Sequence, residues 1–390
     1  MAARRQAAAD RILGPAMIRL LASVVGGGVG FALLLSVVPL YVASTGSGET
    51  GAGLATGALM LGTVLTELAV PAMLARFGYR DVLGLGLILL GAPAAVLVLT
   101  SELAVVLLVC LARGAGLAII VVAATALVAK LVPPQRRAEG LAVYGVTFGA
   151  PMLVGLPLGV SLSSWVGFEP VFVVATVAPL LSLIALPGLP SRRDQPEPLV
   201  PIFRGLASSG LVRPALVFTA ITIAVGVVVT FLPLAVSEDR RELASVGLLV
   251  QAVAVLVARW TAGRLGDRWG SGRLLVPAVV LTGCGVLALV AVDNPVAILG
   301  GMLLFGLGFG AGQNATLATM YDRVPDAEYA RVSAVWNLAY DGGMGIGAVG
   351  FGAVVGATGY PMAFGLVAGL LAVALVPARR GGTRRTAPPA

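Results

Sequence analysis

Long apolar runs separated by short polar breaks organise the whole chain. Runs rich in Val, Leu, Ile, Ala and Gly recur near 18–43, 52–74, 82–100, 103–128, 140–162, 168–188, 214–236, 244–262, 274–292, 296–320, 332–355 and 360–378. A helix that crosses the hydrocarbon core of a bilayer needs about 20 apolar residues. The pattern therefore predicts twelve membrane-spanning helices, with tight hairpins at 100–103 and 163–168. Gly and Pro inside the runs do not argue against helix, because lipid-embedded helices tolerate both. The run from Met17 to Ala43 is long enough to span and lacks a clear cleavage site, so it reads as a retained first helix rather than a secretory signal.

The polar breaks set an orientation. With the N-terminus placed inside, all but four of the 26 Lys and Arg residues fall on inside segments or the helix ends beside them. Arg240 and Arg241 fall outside, and Arg113 and Arg259 lie within spans. Such a bias predicts an even number of spans and two cytoplasmic ends. The longest polar stretch, 189–213, carries Pro196, Pro198 and Pro201 and reads as a cytoplasmic linker. It divides the chain into an N-terminal six-helix bundle, 1–188, and a C-terminal one, 214–390.

Composition supports the same class. Only 11% of the 390 residues are charged and 58% are hydrophobic, against about 25% charged in soluble domains. The net charge of +8 reads as attraction to anionic lipid rather than to nucleic acid, because the cations flank apolar runs. The chain has no histidine, and Cys110 and Cys284 lie inside apolar runs, where both are expected to be buried. No metal site, no cofactor and no catalytic residue is assigned, so an enzyme is not expected.

The chain also partly repeats itself at an offset of 192 residues. Arg76-Phe77-Gly78 falls on Arg268-Trp269-Gly270, and Val132-Pro133 on Val324-Pro325. Gly114 and Gly116 fall on Gly306 and Gly308, Gly155 on Gly347, Gly167-Phe168 on Gly359-Tyr360 and Phe172 on Phe364. One register held from Arg76 through Phe172 is hard to obtain by chance, even in a chain with 52 glycines. Parallel repeats of this kind build two bundles about an axis along the membrane normal.

Gly263-Arg264-Leu265-Gly266-Asp267-Arg268-Trp269-Gly270 resembles the signature of the major facilitator superfamily, roughly G-x-L-x-D-R-x-G-R-R. Gly263, Asp267, Arg268 and Gly270 match, while Ser271 and Gly272 replace the final basic pair. The first-half copy, from Pro71 to Arg80, has Ala75 at the acidic position. Arg113 followed by Gly114 and Gly116 also resembles the family. So does the fifth span, where Gly145, Gly149, Pro151, Gly155, Pro157 and Gly159 are similar to an exporter glycine–proline motif, with Ala150 interrupting its order. The resemblance covers almost the whole chain. It implies an all-α membrane protein of 12 transmembrane helices in two pseudosymmetric six-helix bundles. It also implies a gating role for Gly263, Asp267, Arg268 and Gly270; the alternative is a charged surface loop. Gly145, Gly149, Pro151, Gly155 and Gly159 are expected to let helices approach closely or bend.

Charges within spans are costly and usually functional. Arg113 and Asp341 both fall near mid-depth of their spans. Arg113 is a candidate for binding a substrate anion, and Asp341 for carrying a proton; a buried pair locking two helices is the alternative for either. Glu67 and Arg259 occupy equivalent places in the two halves, again 192 apart. Three readings stay open for them: a cytoplasmic gate formed by the two, a proton-carrying Glu67, or an Arg259 that snorkels to the interface. Gln313, Asn314, Asn337 and Tyr340 are candidate substrate ligands or helix cross-links, and Trp336 reads as packing.

The leading expectation is a secondary transporter in the cell membrane that exports a small, fairly apolar compound in exchange for protons. The alternative is proton-coupled uptake of a sugar or organic anion. A P-loop and a polar pore ring are both missing from the sequence, which disfavours an ATP-driven pump and a channel. A monomer in the lipid bilayer suffices, since both halves lie in one chain.

Overall fold

A computed structural model describes residues 13–133, 136–191, 210–325 and 328–381. The basic N-terminal segment through Arg11, the linker residues 192–209 and the C-terminal Arg384 and Arg385 lie outside the described residues. Ten helical stretches among the described residues are long and apolar enough to cross a bilayer, not the twelve separate helices expected. The difference comes from two stretches, Pro15–Glu67 and Arg331–Arg380, of 53 and 50 residues. The first holds the run at 18–43 and most of that at 52–74, the second those at 332–355 and 360–378, and each is interrupted where a glycine leaves helical space, at Gly46 (φ 100°) and Gly359 (φ 77°). Fifty helical residues would reach about 75 Å, more than twice a core of about 30 Å. Only glycine takes such positive φ without steric penalty, so both breaks are written in the sequence.

The chain folds as two compact units: Met1–Thr45 with Ala58–Pro198, and Gly46–Gly57 with Leu199–Ala390. The first contains α1 (Pro15–Val42), the later part of α2 (Gly48–Glu67), α3 (Val70–Phe77), α4 (Tyr79–Gly91), α5 (Leu103–Leu131), α6 (Arg137–Val166) and α7 (Phe168–Leu181). The run expected at 52–74 is split after Glu67, and the helix restarts with Pro71 in its first turn, where a missing N–H costs nothing. Helix α1 is apolar on every side and is buried almost throughout from Gly26 to Val42, packed by α6 and α7.

The second unit contains α8 (Val212–Ala235), α9 (Arg241–Trp269), α10 (Leu275–Ala288), α11 (Pro295–Tyr321) and the kinked α12 (Tyr329–Gly381). Helix α8 packs on α12, while α9 and α10 both pack on α11. The first part of α2 also belongs to this unit, which no polar break in the sequence marks.

The 192-residue offset reappears as geometry inside each unit. Gly114 faces the Leu59 carbonyl, and Gly306 faces the Gln251 carbonyl. Gly116 faces the Leu90 amide nitrogen and the Gly86 carbonyl; Gly308 faces the Thr282 amide nitrogen and the Ala278 carbonyl. Every partner is displaced by the same interval as the glycine it meets. Backbone approaches backbone at these crossings, so any side chain would push the helices apart. The turns repeat too: φ is 82° at Gly78 and 88° at Gly270, then 86° at Gly167 and 77° at Gly359.

One burial expectation is corrected. Cys110 is buried, but Cys284 is exposed on α10. An apolar residue in a membrane helix has no reason to turn inward, since lipid is as apolar as a protein core.

Candidate functional site

In the first unit the charge at mid-span is held by backbone. Arg113 on α5 is 2% exposed. Its Nε donates to the Leu90 carbonyl of α4 at 3.1 Å, and its Nη2 to the Gly30 carbonyl of α1 at 2.7 Å. Two of its five N–H donors thus join three helices instead of facing an open cavity. Gly30 also lets α1 approach α7 closely: a Cβ there would lie 2.8 Å from the Ala175 carbonyl. Beside it, Thr63 Oγ1 donates 3.2 Å to the Gly114 carbonyl, tying α2 to α5. Glu67 is the last residue of α2 and is half-buried.

In the second unit the candidate ligands gather on α11 and α12 around an aromatic cluster. Trp336 stacks on Phe218 of α8, with centroids 4.5 Å apart and planes at 18°. Tyr340, one turn further along α12, meets Phe218 at 5.9 Å, Trp336 at 5.9 Å and Phe309 of α11 at 6.2 Å. The indole Nε1 donates to Thr316 Oγ1 at 3.2 Å, which fixes the ring. Gln313 lies between Phe309 and Thr316 on α11, and its buried Oε1 has no hydrogen-bond donor among the described residues. Asp341 follows Tyr340 and is 8% exposed. Asn314 points elsewhere, donating 3.5 Å to the Arg259 carbonyl of α9. Asn337 is half-buried one turn before Asp341. Phe309, Gln313 and Thr316 thus fall within two turns of α11, and Trp336, Tyr340 and Asp341 within two turns of α12, with Phe218 and Phe309 buried.

Gln313, Tyr340 and Asp341 are legible in the sequence as candidates, and Trp336 packs as expected, on Phe218 and against the core of Leu211, Met320, Val332 and Val335; Phe218 and Phe309 are added by the structure. The i, i+4 spacing of Trp336 and Tyr340 was the available signal, since residues four apart share a helix face.

The signature segment ends α9 at its glycine turn. Gly270 has φ 88°, and a Cβ at Gly263 would lie 3.5 Å from the Asn314 side chain. Asp267 and Arg268 are exposed, and among the described residues neither forms a side-chain hydrogen bond or ion pair. Arg264 instead lies 3.6 Å over the Trp260 ring. Arg259 is exposed on α9.

On α6, Gly155 faces Ala32 and Gly159 faces the Leu33 carbonyl of α1, while Pro151 lies against Gly28. Gly145 and Gly149 have open space around them, so no close crossing within the first unit requires them. No group of three His, Cys, Asp or Glu side chains among the described residues could hold a metal ion.

A family model described as Major Facilitator Superfamily matches residues 20–348 and, in a second match, 215–389. The fold is shared with solved transporters. The nucleoside transporter NupG is 14% identical, with 94% of this chain and 99% of that one covered and a TM-score of 0.77. A bacterial homologue of the human lysosomal transporter Spinster, inward-facing and occupied, is 12% identical, with 96% and 98% covered and a TM-score of 0.76. The xylose transporter XylE from E. coli, inward open, is 13% identical, with 95% and 97% covered and a TM-score of 0.76. At these identities the likeness is one of fold.

Proposed function

The chain belongs to the major facilitator superfamily, and from that premise we propose that it carries a small, polar, ring-bearing solute such as a sugar into the cell together with protons. It is a multi-pass membrane transporter of small molecules that works by alternating access, in which a site opens to one side of the membrane and then the other. The finer reading rests on one observation, the cluster of Trp336, Tyr340, Phe218 and Phe309 beside the unanswered Gln313 Oε1. A sugar ring has apolar faces that stack on aromatic rings and hydroxyls that donate to an amide oxygen. A purely apolar cargo would leave that buried acceptor unsatisfied, at about 1–3 kcal/mol. This favours a hydrogen-bonding solute over an apolar one. The Arg113 guanidinium, held by two carbonyls, is a weak candidate for an anion ligand.

In this reading Pro15–Glu67 and Arg331–Arg380 each cross the membrane twice, giving twelve crossings with both ends cytoplasmic. Asp341 carries the proton, and a single chain is sufficient.

The experiment is solute and proton flux in liposomes holding the purified full chain, with panels of sugars, nucleosides and lipophilic cations under an imposed pH gradient. Sugar accumulation in the direction of proton flow supports the proposal. Lipophilic cations moving against protons would replace it with the export reading.

A further inference from the structure

A cleft of about 790 Å³ opens at the end of the first unit where α1 begins and α7 ends. Its walls include Arg19 and Ala22 of α1 and Leu181, Ser182, Ile184 and Pro187. A smaller neighbour of about 390 Å³ shares Pro187 and carries Arg80 and Asp81 from the start of α4. Arg19 is exposed, and its guanidinium lies against the backbone of Gly188, where any Cβ would collide with it. Among the described residues no hydrogen bond or ion pair engages Arg19. The surface beside it is apolar: Ile184 is 77% exposed and Leu181 59%.

A cation with no ion-pair partner among the described residues, set against exposed aliphatic side chains at the end of membrane helices, calls for a ligand with the same two parts. Basic pockets between helix ends commonly hold the phosphate of an anionic lipid. We propose that this cleft seats one anionic phospholipid, its phosphate on Arg19 and an acyl chain along Leu181 and Ile184. The smaller cleft is a poor seat for an anion, because Asp81 stands beside Arg80. The bilayer thus becomes a specific ligand of the first unit, apart from the solute site. The alternative is that Arg19 merely snorkels to water, and then headgroup charge would not matter.

The test is lipid retention by the purified full chain in native mass spectrometry, titrated with phosphatidylglycerol, phosphatidylcholine or phosphatidylethanolamine of matched chains. Phosphatidylglycerol is expected to bind at least about fivefold more tightly than phosphatidylcholine, and Arg19→Gln to remove that preference. Arg19→Lys should keep most of it. Ala22→Trp, which fills the cleft from an exposed position, should remove it as well, and it decides the matter if Arg19→Gln fails to fold. Glycerol phosphate, a headgroup without chains, should not compete. Equal retention of phosphatidylglycerol and phosphatidylcholine, or an unchanged preference in Arg19→Gln, overturns the proposal. So does competition by glycerol phosphate, which would mark a soluble-anion site. Preference for phosphatidylethanolamine also overturns it, because the ammonium would then be read by Asp81.

Discussion

Arg113 Nη2 donates to the carbonyl oxygen of Gly30 across 2.7 Å, and that carbonyl belongs to a different helix. The bond, with its companion to Leu90, makes the arginine a structural tie of α1, α4 and α5. Arg113→Leu should lower stability by about 3–6 kcal/mol, because two buried hydrogen bonds from a charged donor are lost at about 1.5–3 kcal/mol each. Arg113→Lys should recover only part, since a compact ammonium cannot reproduce the planar fork that reaches both oxygens. Thermal unfolding of the purified variants checks this. If Arg113→Leu unfolds like the parent while only the KM of an anionic solute rises, the residue is a ligand and not a tie.

The paired glycine crossings predict paired failures. Gly114→Val and Gly306→Val each drive a side chain into a carbonyl of the neighbouring helix, at Leu59 and Gln251 respectively. Overpacking of this kind costs about 1–3 kcal/mol. Gly300→Ala, where nothing lies within 4 Å, serves as the control and should be neutral or slightly stabilising. Unfolding temperatures of the three variants test the set, and a silent Gly306→Val would show that the second crossing is loose.

Thr56 and Thr230 share a hydrogen bond of 2.9 Å between buried hydroxyls of the second unit. Thr56→Val or Thr230→Val alone strands the other hydroxyl and should cost about 1–3 kcal/mol. The double variant should cost less than the sum of the two, because no polar group is then left without a partner. Strict additivity in the cycle would mean that each hydroxyl returns to its own helix carbonyl.

Much of this was legible because membrane helices obey few rules. The apolar runs gave the helices, and the repeated glycines at 114, 116, 306 and 308 gave the register, since only close backbone contact holds a glycine at such places. The role of Arg113 was not legible. Its partners are the carbonyls of Leu90 and Gly30, and a backbone acceptor leaves no mark in residue identity. Gly145 and Gly149 fit a crossing by residue type, yet among the described residues a Cβ at either would meet nothing within 4 Å. The split of α2 between the two units was hidden as well, because a continuous helix shows no break in its pattern.

The aromatic cluster and the carboxyl beside it should separate solute binding from proton movement. Trp336→Leu removes the ring that stacks on Phe218 and leaves Thr316 without its indole donor. Tyr340→Leu removes contacts to Phe218, Phe309 and Trp336. Both should raise KM for the solute about tenfold, since an aromatic contact is worth about 0.5–1.5 kcal/mol beyond its buried area and each variant also loses that area. The ratio of protons to solute should be unchanged. Asp341→Asn keeps the shape of the site but cannot release a proton. It should stop accumulation driven by a pH gradient while sparing solute exchange between equal concentrations, a cycle that needs no net proton transfer. Proton and solute flux measured together in the same liposomes distinguish the two classes. If Asp341→Asn still concentrates solute under a pH gradient, the proton is carried by another group, and Glu67→Gln is the next variant to make.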